Sequence, residues 1–195
     1  QPSATSFLTV FPTGQTRPGA SNLNFVANQT VPNLVVAKVG TGGKVNLYNA
    51  LGTVHAIADV AGWYDTGVAT TGARYTPLTS ARLLDTRSGV GAPAAAVGPG
   101  GTVELQVTGR GGVPASGVSA VVLNVTATQP STTSFLTVFP TGQTRPGASN
   151  LNVVANQTAT NVVVAKVGTG GKVSLYNALG TVHVVADVAG WYDAG

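Results

Sequence analysis

The residues best suited to chemistry lie near the end of each copy of a repeated segment. His183, Asp187 and Trp191 are spaced four residues apart, and so are His55, Asp59 and Trp63 in the earlier copy. Because alternate side chains of a strand point to one face, each triplet is expected on one face. An indole that stacks on a sugar ring, beside groups that bind hydroxyls, predicts a candidate ligand-binding site. The alternative is structural, with the tryptophan closing the end of the fold and the aspartate paired with a neighbouring Lys or Arg.

A second constellation of charged residues is the segment RLLDTR at residues 82–87. Asp85 and Arg87 share one face of an extended strand, whereas Arg82 is expected on the other. We expect a candidate structural ion pair among Arg82, Asp85 and Arg87, with a bidentate arginine tying this strand to its sheet. Contact with an anion or a glycan is the alternative.

Catalytic and metal chemistry has little support in the composition. There is no Cys, and the two His are 128 residues apart. No GxSxG elbow supplies a serine nucleophile, and each copy has too few, too widely spaced carboxylates for a glycosidase pair. Calcium loops need clustered oxygen ligands, which are missing from the sequence. We therefore expect no enzymatic activity, no metal ion and no cofactor.

The charge pattern argues against two further classes of partner. The net charge is +4, but charged residues make up only 8% of the chain and the excess is spread evenly. Nucleic-acid binding needs a clustered basic surface, so none is expected. No apolar run approaches the roughly 20 residues of a membrane helix, so we expect no membrane span.

The chain is one and a half copies of a 128-residue tandem repeat. Residues 1–67 return as residues 129–195, with 58 of the 67 positions identical. Internal repeats at a fixed period predict the organisation of the whole chain. Repetition also favours a structural or multivalent role over catalysis.

Period-2 alternation, β-branched residues and frequent Gly/Pro turns predict an all-β chain. Strands are expected near residues 7–11, 22–27, 33–39, 44–48, 54–61, 81–85, 102–108 and 118–127, and again 128 residues after the first five. About eight strands in 120 residues is typical of an antiparallel β-sandwich of jelly-roll or immunoglobulin-like type.

The repeat boundary predicts an incomplete unit. Residues 1–67 are expected to be the C-terminal half of a unit that needs a complementing half, and residues 68–195 a complete unit. Alternatively, residues 68–128 complete the first half and leave residues 129–195 open. Either arrangement exposes a strand edge, so we expect strand complementation with another copy, or a place in a longer array.

The segments RLLDTR, GVPASGVSAVVLNVT, SNLN and ADVAGWY together resemble a recurrent extracellular module of actinobacteria and related bacteria. That module occurs in tandem arrays or is appended to secreted hydrolases and surface proteins. The resemblance covers the whole chain and implies an extracellular location, secreted or at the cell surface, and a non-catalytic role. It supplies no ligand and no catalytic residues.

These observations favour a structural or adhesive repeat protein that assembles with other copies of itself as an oligomer, polymer or filament. The alternative function is a carbohydrate-binding accessory module of an extracellular enzyme. That module would use Trp63 and Trp191 to bind cell-wall or extracellular polysaccharide.

Overall fold

The structure, a computed structural model, describes residues 1–65 and 72–195. It divides into two compact units, Gln1–Ala58 and Asp59–Gly195. The predicted boundary at residues 67/68 lies outside the described residues. The first unit contains the strands β1 (Ser6–Pro12), β2 (Leu23–Phe25) and β3 (Val45–Asn49).

The second unit contains eight strands. These are β4 (Tyr75–Asp85), β5 (Thr102–Gln106), β6 (Val118–Thr128), β7 (Ser134–Pro140), β8 (Leu151–Val153), β9 (Ala159–Lys166), β10 (Lys172–Asn177) and β11 (His183–Asp193). They form two four-stranded antiparallel sheets, which we call sheet I (β5-β10-β7-β8) and sheet II (β4-β11-β6-β9). The prediction of an all-β antiparallel sandwich is confirmed.

Alternation along β6 directs one face of this strand into the core between the two sheets. On β6, Val121, Leu123, Val125 and Ala127 are fully or almost fully buried, and the residues between them are partly exposed. These side chains join Leu136, Leu175 and Val188 in one hydrophobic cluster. Burial of each such side chain contributes about 1.5–3 kcal/mol, so the apolar face of β6 is a large part of the sandwich's stability.

The order of strands in each sheet determines which strands residues 129–195 obtain from the preceding part of the repeat. We call residues 72–128, which hold β4, β5 and β6, the three-strand block. In sheet II the block provides the edge strand β4 and also β6, which lies between β11 and β9. In sheet I it provides only the edge strand β5, so β10, β7 and β8 are neighbours without it.

The first unit shows the consequence. Its sheet, β2-β1-β3, has the order of β8-β7-β10. Residues 31–38 and 55–65 repeat the sequence of β9 and β11 but form no strand. The predicted strands at 33–39 and 54–61 are therefore wrong for this copy, although the same segments form β9 and β11 in the other. The physical reason is that the sheet II order separates these two segments by β6, which residues 1–65 do not contain.

Candidate functional site

A β-bulge in β11 separates the residues of the first candidate site, His183, Asp187 and Trp191, onto different faces of the strand. Along β11, Asp187 lies opposite Asn124 of β6, but the register shifts between Val188 and Gly190, which leaves Ala189 as an extra residue. A bulge of this kind reverses the alternation of side chains beyond it. Trp191 consequently lies opposite Val121, a core residue, and its ring packs against the hydrophobic cluster.

The expectation that His183, Asp187 and Trp191 share one face is therefore wrong. In the other copy, His55, Asp59 and Trp63 lie in a segment that is not a strand, and the Trp63 side chain is exposed. Neither copy has the planar arrangement from which a sugar-binding surface was predicted.

His183 is held by a buried threonine of the chain segment that follows β4. Thr86 Oγ1 accepts a hydrogen bond from the backbone N–H of Val184 at 3.0 Å and lies 3.0 Å from His183 Nδ1. Since Thr86 Oγ1 already accepts from Val184, its own hydrogen is available to donate to Nδ1. That arrangement fixes the ring against β4 and gives His183 a structural contact.

Asp85 is the centre of an ion-pair cluster. Arg87 donates to its carboxylate from Nε at 2.9 Å, from Nη2 at 2.7 Å and from the backbone N–H at 3.0 Å. Arg82 bridges to β11, with Nη1 3.1 Å from Asp85 Oδ2 and Nε 2.6 Å from Asp187 Oδ1. The hydrogen bonds from Arg87 hold the pKa of Asp85 well below its ordinary value, although burial alone would raise it.

Arg82 was expected on the opposite face from Asp85, and the structure differs. The β4–β11 register shifts between Ala186 and Asp187, so that Leu83 is an extra residue on β4. Both Leu83 and Leu84 are buried, and Arg82 is turned to the side on which the Asp85 and Asp187 carboxylates lie. The cluster thus fastens β4 to β11.

The largest difference between the two copies is the exposure of identical or similar side chains. Val60 is 90% exposed and its counterpart Val188 is fully buried; Leu47 is 46% exposed and Leu175 only 1%. Ile57 is 89% exposed, whereas Val185 at the same position is 4% exposed. Residues 1–65, which we call the upstream half, thus expose apolar surface that residues 129–195, the downstream half, bury.

Sheet I is formed in the same way in both halves. Arg145 lies over the Tyr176 ring at 4.3 Å and Phe135 packs 6.2 Å from that ring. The upstream copy repeats this arrangement with Arg17, Tyr48 and Phe7, at 4.2 Å and 6.4 Å. No motif predicts this contact, and its only signal in the sequence is the recurrence of the three residues after 128 positions. These side chains therefore pack in the same way in both copies.

An apolar groove of about 430 Å³ also lies in the first unit, lined partly by Phe7, Phe25, Val26 and Leu51. Across residues 1–65 and 72–195, no group of three or more His, Asp or Glu could hold a metal ion. Nor does any helix in the described part of the chain have the length and apolarity to cross a membrane.

No protein-family model matches the sequence, and a comparison with curated proteins finds no match. The feature best placed to act on another molecule is the open upstream half. Two of its segments, 31–38 and 55–64, form no strand, and β3 lies at an edge of its sheet, so these elements can accept strands as their counterparts do in sheets I and II.

Proposed function

We propose that this chain is a non-catalytic structural repeat protein of the extracellular space or cell surface, which joins other polypeptides of the same repeat by strand complementation. The upstream half is the acceptor. The donor is a three-strand block of the type found at residues 72–128.

The observation that carries the proposal is the opposite exposure of two equivalent residues, since Val60 is 90% exposed and Val188 is fully buried. The downstream half shows how the same sequence is completed: β6 fills the position between β9 and β11, and β5 covers the edge of β10. Residues 1–65 are identical to residues 129–193 at 57 of 65 positions. A block with the sequence of residues 72–128 therefore fits it by backbone pairing and by side-chain shape.

A synthetic peptide with the β6 sequence, Val118–Thr128, carrying a lysine tail for solubility, tests the acceptor in the full chain. We expect one peptide to bind per chain and the fluorescence of Trp63 to become shielded, because segment 55–65 becomes a strand against it. Isothermal titration calorimetry and acrylamide quenching measure the two effects. A scrambled peptide with the same tail is expected not to bind.

Val60→Ser supplies a matched control. Val60 is exposed in the free chain, so this substitution is expected to leave the thermal unfolding unchanged and to abolish peptide binding. Binding that Val60→Ser leaves intact, or no binding to the unsubstituted chain, would contradict the proposal.

Carbohydrate binding is not favoured by a specific observation. Its predicted basis was a face shared by His183, Asp187 and Trp191, and Trp191 packs against the core instead. The extracellular location is supported by the resemblance of the whole chain to a secreted module and by the absence of oxidisable Cys and Met. Fractionation of the source cells, with detection by an antibody to the folded chain, tests that location.

A further inference from the structure

We propose that the three-strand block exchanges between the two halves of the same chain, so that the downstream and the upstream half compete for it. The inference rests on the proposed function, because it concerns the same acceptor. It identifies the first occupant of the acceptor as residues 72–128 of the chain itself.

The upstream half keeps the residues that contact the block. Asp59 stands where Asp187 receives the Arg82 guanidinium. Gly62 stands where Gly190 leaves room for Tyr75, whose ring would overlap a Cβ at that position. In the free upstream half a Cβ on Gly62 would meet nothing within 4 Å, so only the paired state gives this glycine a steric role.

The connection between the upstream half and the block permits the exchange. Tyr192, near the end of β11, pairs with Tyr75 at the start of β4. Tyr64 is the counterpart of Tyr192, and ten residues separate it from Tyr75 in sequence. Neighbouring strands are about 4.8 Å apart, so a separation of ten residues in sequence is long enough for Tyr64 to pair with Tyr75.

Tyr64 already lies beside the residue that it would replace. Its ring centroid is 6.4 Å from that of Tyr192, and the two hydroxyl groups are in hydrogen-bond contact. The Tyr75 ring packs 5.2 Å from Tyr192 on β11. Replacement of Tyr192 by Tyr64 at the start of β4 is therefore a short local step, from which pairing extends along the strand.

Two of the eight differences between residues 1–65 and residues 129–193 favour the downstream pairing. Val184 is buried in the core, whereas its counterpart Ala56 lacks two carbons. Thr160 Oγ1 lies 2.9 Å from Thr126 Oγ1 of β6, and its counterpart Pro32 has neither a hydroxyl nor a backbone N–H. The two carbons that distinguish Val184 from Ala56 alone correspond to about a tenfold preference for the downstream half, and the extra carbon of Ile57 over the buried Val185 acts in the opposite direction.

The exchange moves the open acceptor from one end of the chain to the other. When the block pairs downstream, residues 1–65 are open; when it pairs upstream, residues 129–195 are open. The half that receives a further repeat is thereby set by residues 32, 56, 160 and 184.

The two tryptophans report the two states separately, since each half contains one. Trp191→Phe leaves Trp63 as the reporter, and Trp63→Phe leaves Trp191. The test variant, which we call the transposed chain, exchanges the residues at these positions between the halves and so makes the block prefer the upstream half. Its substitutions are Pro32→Thr, Ala56→Val, Thr160→Pro and Val184→Ala. In dilute monomeric protein, we expect acrylamide quenching of Trp63 to fall and that of Trp191 to rise, with the ratio of the two states changed about a hundredfold.

Val60→Ser in the transposed chain is the control and is expected to restore the exposure of Trp63. The inference is overturned if Trp63 stays as accessible in the transposed chain as before, or if that chain unfolds, because exchange supplies a folded alternative. It is also overturned if shielding of Trp63 rises with protein concentration. That last result places the complementation between chains and leaves the proposed function intact.

Discussion

Arg87 holds Asp85 in a two-pronged contact, Nε to Oδ1 at 2.9 Å and Nη2 to Oδ2 at 2.7 Å, immediately after β4 ends. The backbone of Asp85 meanwhile forms a turn, in which its carbonyl accepts from Gly89 and its N–H donates to the Val90 carbonyl. The carboxylate and the backbone of one residue therefore fix the end of β4. This anchor belongs to the three-strand block and moves with it.

Asp85→Asn is expected to lower the free energy of unfolding by about 1.5–3 kcal/mol at neutral pH, because it removes the charge from several hydrogen bonds. The pKa of Asp85 is lowered in the folded chain, so its contribution is complete above its unfolded pKa of about 4 and is lost as the pH falls below that value. Urea unfolding at pH 7 and in a series below pH 4 measures both effects.

The difference between Asp85→Asn and the unsubstituted chain should therefore narrow as the solution becomes acidic. An unchanged difference from neutral to strongly acidic pH would show that the ionised form of Asp85 is not stabilised by Arg87. Arg87→Lys keeps the positive charge but loses the planar guanidinium that makes two hydrogen bonds. At neutral pH its free energy of unfolding is expected to lie between that of Asp85→Asn and that of the unsubstituted chain.

Thr86→Val should lower the free energy of unfolding by about 1–3 kcal/mol, because the buried N–H of Val184 loses its hydrogen-bond acceptor. Thr86→Ser keeps the hydroxyl and is expected to retain most of the stability. Thermal unfolding compares the three chains, and hydrogen exchange at the Val184 amide locates the effect. Equal stability of the valine and serine variants would contradict a role for this hydroxyl.

Much of the fold follows from local pattern. The alternation of Leu123, Val125 and Ala127 with the polar residues Asn124 and Thr126 on β6 predicts which face is buried, and the structure confirms it. Turn residues and β-branched runs likewise predict most of the strands. These signals are local, and the residues that carry them lie within a few positions of one another.

The features that sequence did not predict depend on distant residues. The bulge at Ala189 turns Trp191 toward the core. Gly190 within ADVAGWY is a signal for such a bulge, but a glycine in a strand equally indicates a close approach of another chain segment, as Tyr75 makes here. The segment 55–65 has almost the sequence of β11 but no strand, because its neighbour in the sheet order is β6. Whether a sequence forms a strand here depends on a partner contributed by another part of the chain.

Tyr192 should be among the last tyrosines to ionise. Burial and the hydrogen bond with Tyr64 raise its pKa to about 12. Its protonated form thus contributes stability that is complete below the ordinary tyrosine pKa of about 10 and is lost as the pH rises toward 12. Spectrophotometric titration of the phenolates measures this ionisation directly.

Tyr192→Phe should remove the latest step of that titration, and Tyr64→Phe should move it to lower pH, because Tyr192 loses its hydrogen-bond partner. Tyr176→Phe is the matched control and is expected to leave the latest step in place. A titration that Tyr192→Phe leaves unchanged would contradict the assignment.

Leu123 and Leu175 are equally buried, yet truncating each of them to alanine should lower the free energy of unfolding by different amounts. Leu123→Ala removes core volume from the block and destabilises its pairing with either half, so about 2–5 kcal/mol is expected. Leu175→Ala affects only the downstream pairing. Because the block then transfers to the upstream half, the loss is limited to the preference between halves, about 1.4 kcal/mol for a tenfold ratio. Urea unfolding of the full chain measures both.

Leu47→Ala completes the comparison, since Leu47 is the upstream counterpart of Leu175 and is partly exposed. Alone it should change stability by less than about 0.5 kcal/mol. Combined with Leu175→Ala, it also weakens the pairing of the block with the upstream half. The double variant should therefore lose more free energy of unfolding than the two single variants together. Distant, independent sites give additive losses. Additivity here, with Leu175→Ala as costly as Leu123→Ala, would show that the block stays with one half.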